Sequence, residues 1–300
     1  MTFTLSNIQD DPAMQLLLPS WVTSRRSESL EDMAFLSGGA LSYLHQVIKQ
    51  QDVPQALLRD RLALQAAEAC ILFSGRPERA GELRDAIHLL RPGDLPGPAG
   101  ETYLAWRRAA ERPLSVKALH RALPEVEATR IAAWLSAGKE RGAGQAGPIT
   151  RVAKVLEAVL TEMPRTEVAA LILADTALAQ ALGWDHILPL FALGLARVDL
   201  TRRGDALRLA CHGAVTTATP QALRMAADLS RRAERLKTVA PKLRAKTAPA
   251  AVEVFLSRDA VAPSALPMPD RAARRLCDRL VDLGAVRELT GRDTFRLYGV

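Results

Sequence analysis

The 300-residue chain is long enough for two domains, and its 48% hydrophobic and 24% charged residues are typical of a globular protein with a substantial core. Its longest apolar runs are interrupted by charge or are shorter than the ~20 residues that span a bilayer, and its polar, acidic opening is unlike a secretory leader. We therefore expect a cytoplasmic protein. The three cysteines are far apart and form no Cys-x-x-Cys pair, which argues against a disulfide framework.

The net charge of +7 is unevenly distributed along the chain. Residues 221–300 contain sixteen Lys and Arg and nine Asp and Glu, a balance of +7. Subtracting these from the totals of 40 and 33 leaves 24 of each kind in residues 1–220, a balance of zero. This asymmetry predicts one surface near the C-terminus that attracts polyanions.

The first 245 residues have the pattern of an all-α protein. Residues 1–28 are predicted to be an irregular lead-in with one apolar anchor, LLLPSWV, and the α-helical body runs over 29–245. Ser29 with Asp32 predicts the start of the first helix. Helical spacing then predicts helices at 30–50, 54–73, 77–91, 101–112, 115–122, 124–138, 149–162, 166–182, 186–199, 204–217 and 220–238.

Two stretches of the body have particular local signals. The stretch LRPGDLPGPAG is so rich in proline and glycine that it predicts irregular structure. Thr219-Pro220 predicts the beginning of a basic helix that carries Arg231, Arg232 and Arg235. That helix supplies auxiliary phosphate contacts under one hypothesis and is a connecting helix under the other.

The C-terminal residues 246–300 have the element order of a winged helix-turn-helix. AAVEVFLSR predicts a helix, VAPSAL a short second helix and residues 269–283 a third. Residues 285–299 predict a β-hairpin around a Thr-Gly-Arg-Asp turn, because the apolar Leu289, Phe295 and Leu297 show the period-two alternation of strands. In the third helix Ala273, Leu276, Leu280 and Leu283 recur at helical spacing and should face a core, together with Cys277. The arginines lie on the opposite face.

An exposed basic helix beside a hairpin suits duplex DNA, because a helix fits the major groove and arginines reach guanine edges or phosphates. The predicted DNA-binding residues are Arg271, Arg274, Arg275, Arg279, Arg287, Arg292 and Arg296. The predicted function is therefore double-stranded DNA binding, with the body serving homo-oligomer, partner or effector contacts. The alternative is a helical interaction protein whose winged helix docks protein, since winged helices also have that role.

No catalytic residue, cofactor or metal site is predicted. The stretch GAGQAG at 142–147 follows a helical pattern and so lacks the strand that a dinucleotide fingerprint requires. The five histidines are scattered without zinc-ligand spacing. Glu82, Arg84, Asp85 and His88 crowd one helix; they could line an acid–base cleft, but ion pairing within the helix is the simpler explanation.

The chain resembles the bacterial family of domain of unknown function 1403. The shared stretches are LLRDRLALQAAEAC, ELRDAIHLLRPGDLPGPAGE, GWDHILPLFALGL, APKLRAK, VFLSRDAVAPS and the final thirty-one residues from DRAARRLC onward. This resemblance implies no activity. The tail is also similar to the winged-helix ends of Fic-type proteins, but their catalytic signature is absent, so no nucleotide transfer is implied.

Overall fold

A computed structural model of the chain describes residues 18–23, 29–91, 93–137, 147–243 and 246–300. Within these ranges the chain forms thirteen α-helices, three 3-10 turns and one two-stranded antiparallel hairpin at its C-terminal end. The predicted helical character is therefore confirmed. Among the described helices, none combines the length and apolar character needed to cross a membrane.

The elements are numbered in chain order. The helices of the first half are α1 Ser20–Thr23, α2 Leu30–Val47, α3 Gln55–Phe73, α4 Ala80–His88, α5 Gly97–Glu111, α6 Val116–Ala122 and α7 Ala128–Ala137. Those of the second half are α8 Pro148–Glu162, α9 Glu167–Leu182, α10 Phe191–Gly194, α11 Gly204–Val239, α12 Ala248–Ser257 and α13 Asp270–Asp282. The 3-10 turns are Arg197–Thr201, Ala240–Lys242 and Pro263–Ala265, and the strands are β1 Arg287–Glu288 and β2 Tyr298–Gly299.

The predicted helix ends depend on local chemistry. The Ser29 hydroxyl accepts the Asp32 N–H at 3.5 Å, and the Ser115 hydroxyl accepts the Ala118 N–H at 3.1 Å, so each caps an otherwise unsatisfied donor. Gly183 ends α9 with φ at 67°, a left-handed conformation that favours glycine. These signals explain why the starts of α2 and α6 were predicted correctly.

The helices pack around one continuous hydrophobic core. α3 packs against α5, α8 against α9, and α11 against α2, α8 and α10. α9 lies at the centre and is buried on nearly every face from Ala169 to Ala179. The C-terminal elements join the same core, since Phe255 of α12 and Leu280 of α13 are fully buried in it.

Three predicted boundaries are wrong. The helix predicted from residue 124 begins at Ala128 as α7. The segments predicted at 204–217 and 220–238 form a single helix, α11, with Pro220 in its interior. Proline removes one helical N–H and costs ~3 kcal/mol, but Ala218, Ala222 and Leu223 around it are buried and hold the helix together. In addition, α5 begins at Gly97, inside the glycine- and proline-rich stretch predicted to be irregular.

The helix predicted at 186–199 is replaced by the single turn α10 and a 3-10 turn. The buried carboxylate of Asp175 accepts the N–H groups of Leu190 at 3.0 Å and Phe191 at 3.3 Å, which fixes a non-helical approach to α10. Gly194 then lies so close to α11 that a Cβ atom there would be 2.2 Å from the Ala214 carbonyl oxygen. Tertiary contacts therefore override the helical spacing.

The remaining points concern the predicted lead-in, the segment VAPSAL and the stretch GAGQAG. Within the predicted lead-in, Ser20–Thr23 forms one helical turn, with Val22 buried and Trp21 stacked on Phe35 at 5.5 Å. The predicted short helix in VAPSAL is only the 3-10 turn Pro263–Ala265. Most of the GAGQAG stretch, 142–146, lies outside the described residues.

Replacing Asp175 should test this tertiary constraint. Burial raises the pKa of Asp175 well above its ordinary value, although the N–H groups of Leu190 and Phe191 oppose this effect. Asp175→Ala should lower the free energy of unfolding in urea by about 3 kcal/mol, because two buried N–H groups lose their acceptor. Asp175→Asn keeps a carbonyl acceptor and should lose less than half of that amount. Equal losses for the two variants would contradict the assigned hydrogen bonds.

Candidate nucleic-acid interface

The C-terminal segment is attached to the body by one buried carboxylate, that of Asp259, in the loop after α12. Its side chain is completely buried between the guanidinium groups of Arg61 on α3 and Arg84 on α4. Arg84 forms two parallel bonds to it, with Nε–Oδ2 at 2.5 Å and Nη2–Oδ1 at 3.1 Å. Arg61 also donates to the Val300 carbonyl oxygen at 3.2 Å, so the last residue is held by the same side chain.

A second carboxylate, Asp60, extends this network. Its Oδ2 accepts the Asp259 N–H at 2.8 Å, and its Oδ1 lies 3.4 Å from Nε of Arg107. Burial raises the pKa of Asp60 despite the nearby Arg107. Burial acts in the same direction on Asp259, but Arg84 and Arg61 outweigh it and lower its pKa. Asp259 is therefore the charged partner of the arginines.

The simpler explanation proposed for the charged residues of α4 is wrong. Arg84 and Asp85 do not pair within their own helix; they reach residues 259 and 292 of the C-terminal segment. Glu82 caps the helix instead, because its carboxylate accepts the Arg79 N–H at 2.8 Å.

Sequence reasoning missed Asp60, Arg61 and Asp259. The signal available in the sequence was Asp60 and Arg61 inside the apolar run LLRDRLALQAA, and Asp259 inside VFLSRDAVAP. Charges in apolar surroundings are expected to be paired when they are buried. The spacing of 199 residues between Asp60 and Asp259 in the chain hides the pairing itself.

α13 presents a buried face and an arginine-bearing face, as predicted. Ala273, Leu276, Cys277 and Leu280 are buried. The four predicted arginines of this helix are all exposed: Arg271, Arg274, Arg275 and Arg279.

Three of these arginines form what we call the basic stripe: Arg271, Arg275 and Arg279. They are four residues apart and therefore lie on one side of the helix. Within the described residues, none of the three forms an ion pair with a carboxylate, and the Nε of Arg275 donates to the Arg271 carbonyl oxygen at 3.3 Å. Their charges are available to a ligand.

The structure continues this stripe onto α11. Leu283, four residues after Arg279, has a carbonyl oxygen that accepts a hydrogen bond from Arg235 Nη2 at 3.4 Å. The same guanidinium packs on Gly284, where a Cβ atom would be 2.6 Å away. Arg231 is exposed and Arg232 is half-buried, and both pair with Asp228, at 3.5 and 2.7 Å. The auxiliary basic helix is therefore a neighbour of α13.

Three further predicted residues, Arg274, Arg292 and Arg296, are each bonded to another residue of the chain. Arg274 pairs with Asp270 at 3.0 Å on its own helix, and Arg292 pairs with Asp85 of the body. The Nε of Arg296 donates to the Arg292 carbonyl oxygen at 2.8 Å.

Arg287, the last of the predicted residues, is exposed at the start of β1. Burial of part of its side chain lowers its pKa, and nearby Arg232 lowers it further. Arg287 therefore belongs to the same cationic region as α11, without belonging to the basic stripe itself.

The hairpin is pinned to the loop after α12. Arg287 pairs with Gly299 and Glu288 with Tyr298 across the strands, and Tyr298 forms a further bridge to Val261 with N–O distances of 2.8 and 2.9 Å. The connecting loop turns at Gly291, with φ at 62°, where the Glu288 carboxylate accepts two backbone N–H groups. Leu297 is buried, as the alternation predicted.

Phe295 departs from that prediction. Its side chain is 74% exposed, and its φ of 55° is unusual for a residue other than glycine. It lies at a cavity of about 530 Å³ between α13 and the hairpin, beside His88. The charged residues of this cavity are Asp270, Arg274, Asp278, Asp293 and Arg296.

This arrangement defines a helical protein in which the basic stripe of α13 lies beside Arg235 in the C-terminal half of α11. The chain belongs to the family described as "Protein of unknown function (DUF1403)", whose family model matches residues 6–300. A search of curated proteins finds no match.

The Asp259 carboxylate can be tested by an isosteric change. Asp259→Asn removes the charge that neutralises Arg61 and Arg84, and breaking a buried ion pair in this way costs ~3–5 kcal/mol. Chemical denaturation should show a loss of about that size, whereas Asp293→Asn, which neutralises an exposed carboxylate, should stay within ~0.5 kcal/mol of the parent. If both variants unfold at the parent's denaturant concentration, the buried pair does not hold the segment in place.

His88 should make stability depend on pH. Burial lowers its pKa from 6.5 to about 4, and nearby Arg107 adds to the effect. Since the folded value lies below the unfolded one, its contribution is complete above about pH 6.5 and is lost as the pH falls towards 4. Between pH 7 and pH 5 the parent should lose about 2 kcal/mol more unfolding free energy than His88→Gln. Parallel pH profiles of the two proteins would show that His88 is not desolvated.

Proposed function

We propose that this protein binds double-stranded DNA through α13, the C-terminal hairpin and the adjoining half of α11. The observation that carries the proposal is the basic stripe: Arg271, Arg275 and Arg279 are exposed, four residues apart and without carboxylate partners among the described residues.

The order of the C-terminal elements supports a winged-helix assignment. α12 is followed by a bridge residue, Val261, then by a 3-10 turn, α13 and the hairpin. In a winged helix the strand after the first helix pairs with the last strand, and Val261 bridges Tyr298 in that way. The turn Pro263–Ala265 takes the place of the second helix, which makes the proposed winged helix a reduced one.

The distribution of charge on α13 and α11 favours contacts with DNA phosphates over recognition of base edges. α13 itself carries four arginines and three aspartates, so its net charge is only +1. The stripe is nevertheless followed on α11 by the exposed Arg235, which donates to the Leu283 carbonyl oxygen, and by Arg231, which is exposed and paired with Asp228. Neighbouring exposed arginines can contact phosphates, which position a protein on DNA and are insensitive to base sequence.

Protein docking is a second candidate for the same segment. The exposed Phe295 beside the cavity of about 530 Å³ favours it, because an exposed aromatic side chain next to a concave surface is typical of an interface. That cavity has three carboxylates, Asp270, Asp278 and Asp293, against two arginines, so its net charge is negative, which disfavours phosphates and suits a cationic partner. This surface is distinct from the basic stripe.

The DNA proposal is tested by neutralising the stripe. The triple variant Arg271→Gln, Arg275→Gln, Arg279→Gln should bind a mixed-sequence duplex at least tenfold more weakly at ~0.1 M salt in fluorescence anisotropy. If all three contact phosphates, the slope of log affinity against log salt should fall by about 2.7. The single variant Arg274→Gln should have a smaller effect than Arg275→Gln, because Arg274 is paired with Asp270.

A matched control removes the same charge elsewhere. Arg108, Arg112 and Arg121 are exposed arginines of the body that form no ion pair within the described residues, so their triple glutamine variant should keep the parent's salt slope. If the two triple variants lose affinity equally, attraction is due to net charge alone. If neither the parent nor any variant binds at low salt, DNA binding is wrong and protein docking becomes the better candidate.

A further inference from the structure

A cavity of about 770 Å³ lies in the body, on the α2 side of α11. Its walls come from α2, the first turn of α8, the end of α9 and the first half of α11. Small-molecule sites in proteins have volumes of roughly 300–1,000 Å³, are mostly apolar and contain a few well-placed polar groups. The size of this cavity therefore agrees with that of a ligand site.

Apolar side chains form most of the cavity wall. Leu30 and Leu41 of α2 face it together with Ile149 of α8 and Leu182 of α9. Leu41 and Ile149 are buried and belong to the main core, so this wall is supported from behind. It suits the hydrocarbon part of a ligand.

One polar pair in the wall is already satisfied. Ser37 is 1% exposed, and its Oγ lies 2.7 Å from Nδ1 of His212 and 3.1 Å from the Ala34 carbonyl oxygen. Burial lowers the pKa of His212 to about 4, and nearby Arg208 lowers it further, so the imidazole is neutral at pH 7. The pair adds no charge to the cavity, and the serine is too enclosed to be reached by a ligand.

A second imidazole in the wall has a defined tautomer. The indole N–H of Trp184 donates to Nδ1 of His45 at 2.8 Å. Because an indole can only donate, the proton of His45 is on Nε2. His45 therefore offers one further hydrogen-bond donor at this site.

Two groups of donors in the lining lack acceptors among the described residues. Arg208 is half-buried; its Nη1 is 3.2 Å from Asp205, but its Nε is shielded from solvent and has no acceptor among the described residues. α8 begins at Pro148 after Gly147, which has no side chain to cap the helix, so the first-turn N–H groups of Ile149 and Thr150 lack acceptors in the described ranges. Among the described lining residues the one carboxylate is that of the exposed Glu31, and Ser42, Gln46 and Thr150 add neutral polar side chains.

We propose that this cavity binds a small organic anion with an apolar chain, such as an aliphatic carboxylate. The chain packs against Leu41, Ile149 and Leu182, and the carboxylate is bound at Arg208 and the uncapped first turn of α8. A cationic donor and free helix N–H groups in a largely apolar cavity favour an anion over a neutral or cationic analogue of equal length. The site is separate from the basic stripe and does not depend on DNA binding.

The experiment is isothermal titration calorimetry of the full chain with three probes of equal chain length: octanoate, 1-octanol and octylammonium. Octanoate should bind with a one-to-one stoichiometry and at least tenfold more tightly than the other two, since a hydrogen bond to a charged group is worth ~1.5–3 kcal/mol. Arg208→Gln should abolish that preference. Ala34→Trp, at an exposed position of the lining, should fill the cavity and abolish binding of all three probes.

Two control variants keep the result interpretable. Arg224→Gln removes an exposed arginine from the same helix, and Ala250→Trp adds an indole at an exposed position of α12; both should bind octanoate as the parent does. Circular dichroism and thermal melts establish that each variant is folded. Absence of saturable binding by any probe overturns the site. A preference for octanoate that survives in Arg208→Gln, or binding that survives in Ala34→Trp, overturns the proposed position of the ligand.

Discussion

The attachment of the C-terminal segment depends on the buried carboxylate of Asp259. Two arginines from different helices of the body, Arg61 and Arg84, converge on it, and the N–H of the same residue is bound by Asp60. Desolvating a charge is costly unless partners of opposite sign surround it, so these positions have to be occupied together. α12, the bridge at Val261 and the final residue are consequently held at a fixed place on α3 and α4.

Two groups of arginines occur in the C-terminal segment: those that pair with a carboxylate and those of the basic stripe. Arg292 pairs with Asp85 of the body and so holds the hairpin loop to α4, whereas Arg274 pairs with Asp270 within α13. The basic stripe lies on another side of α13, which the long helix α11 adjoins at Leu283. The basic stripe and the adjoining part of α11 are therefore the surface at which we expect an anionic ligand to bind.

The long α11 also links the two proposed sites. Its first half contributes Arg208 and His212 to the cavity in the body, and its second half contributes Arg235 to the region beside α13. From residue 208 to residue 235 the helix extends about 40 Å at 1.5 Å per residue. Because the helix is continuous through Pro220, both sites are built on one rigid element.

The sequence by itself determined the helical class, most helix boundaries, the inward face of α13 and the concentration of positive charge after residue 220. These properties are local: apolar periodicity, a capping serine such as Ser29 or a helix-ending glycine such as Gly183 acts within a turn or two. Only the tertiary structure decided that 186–199 is not a helix, that α11 is continuous, and that Arg84 pairs with Asp259. Each of these results depends on groups far apart in the chain whose burial makes their mutual bonding obligatory, and periodicity carries no information about such partners.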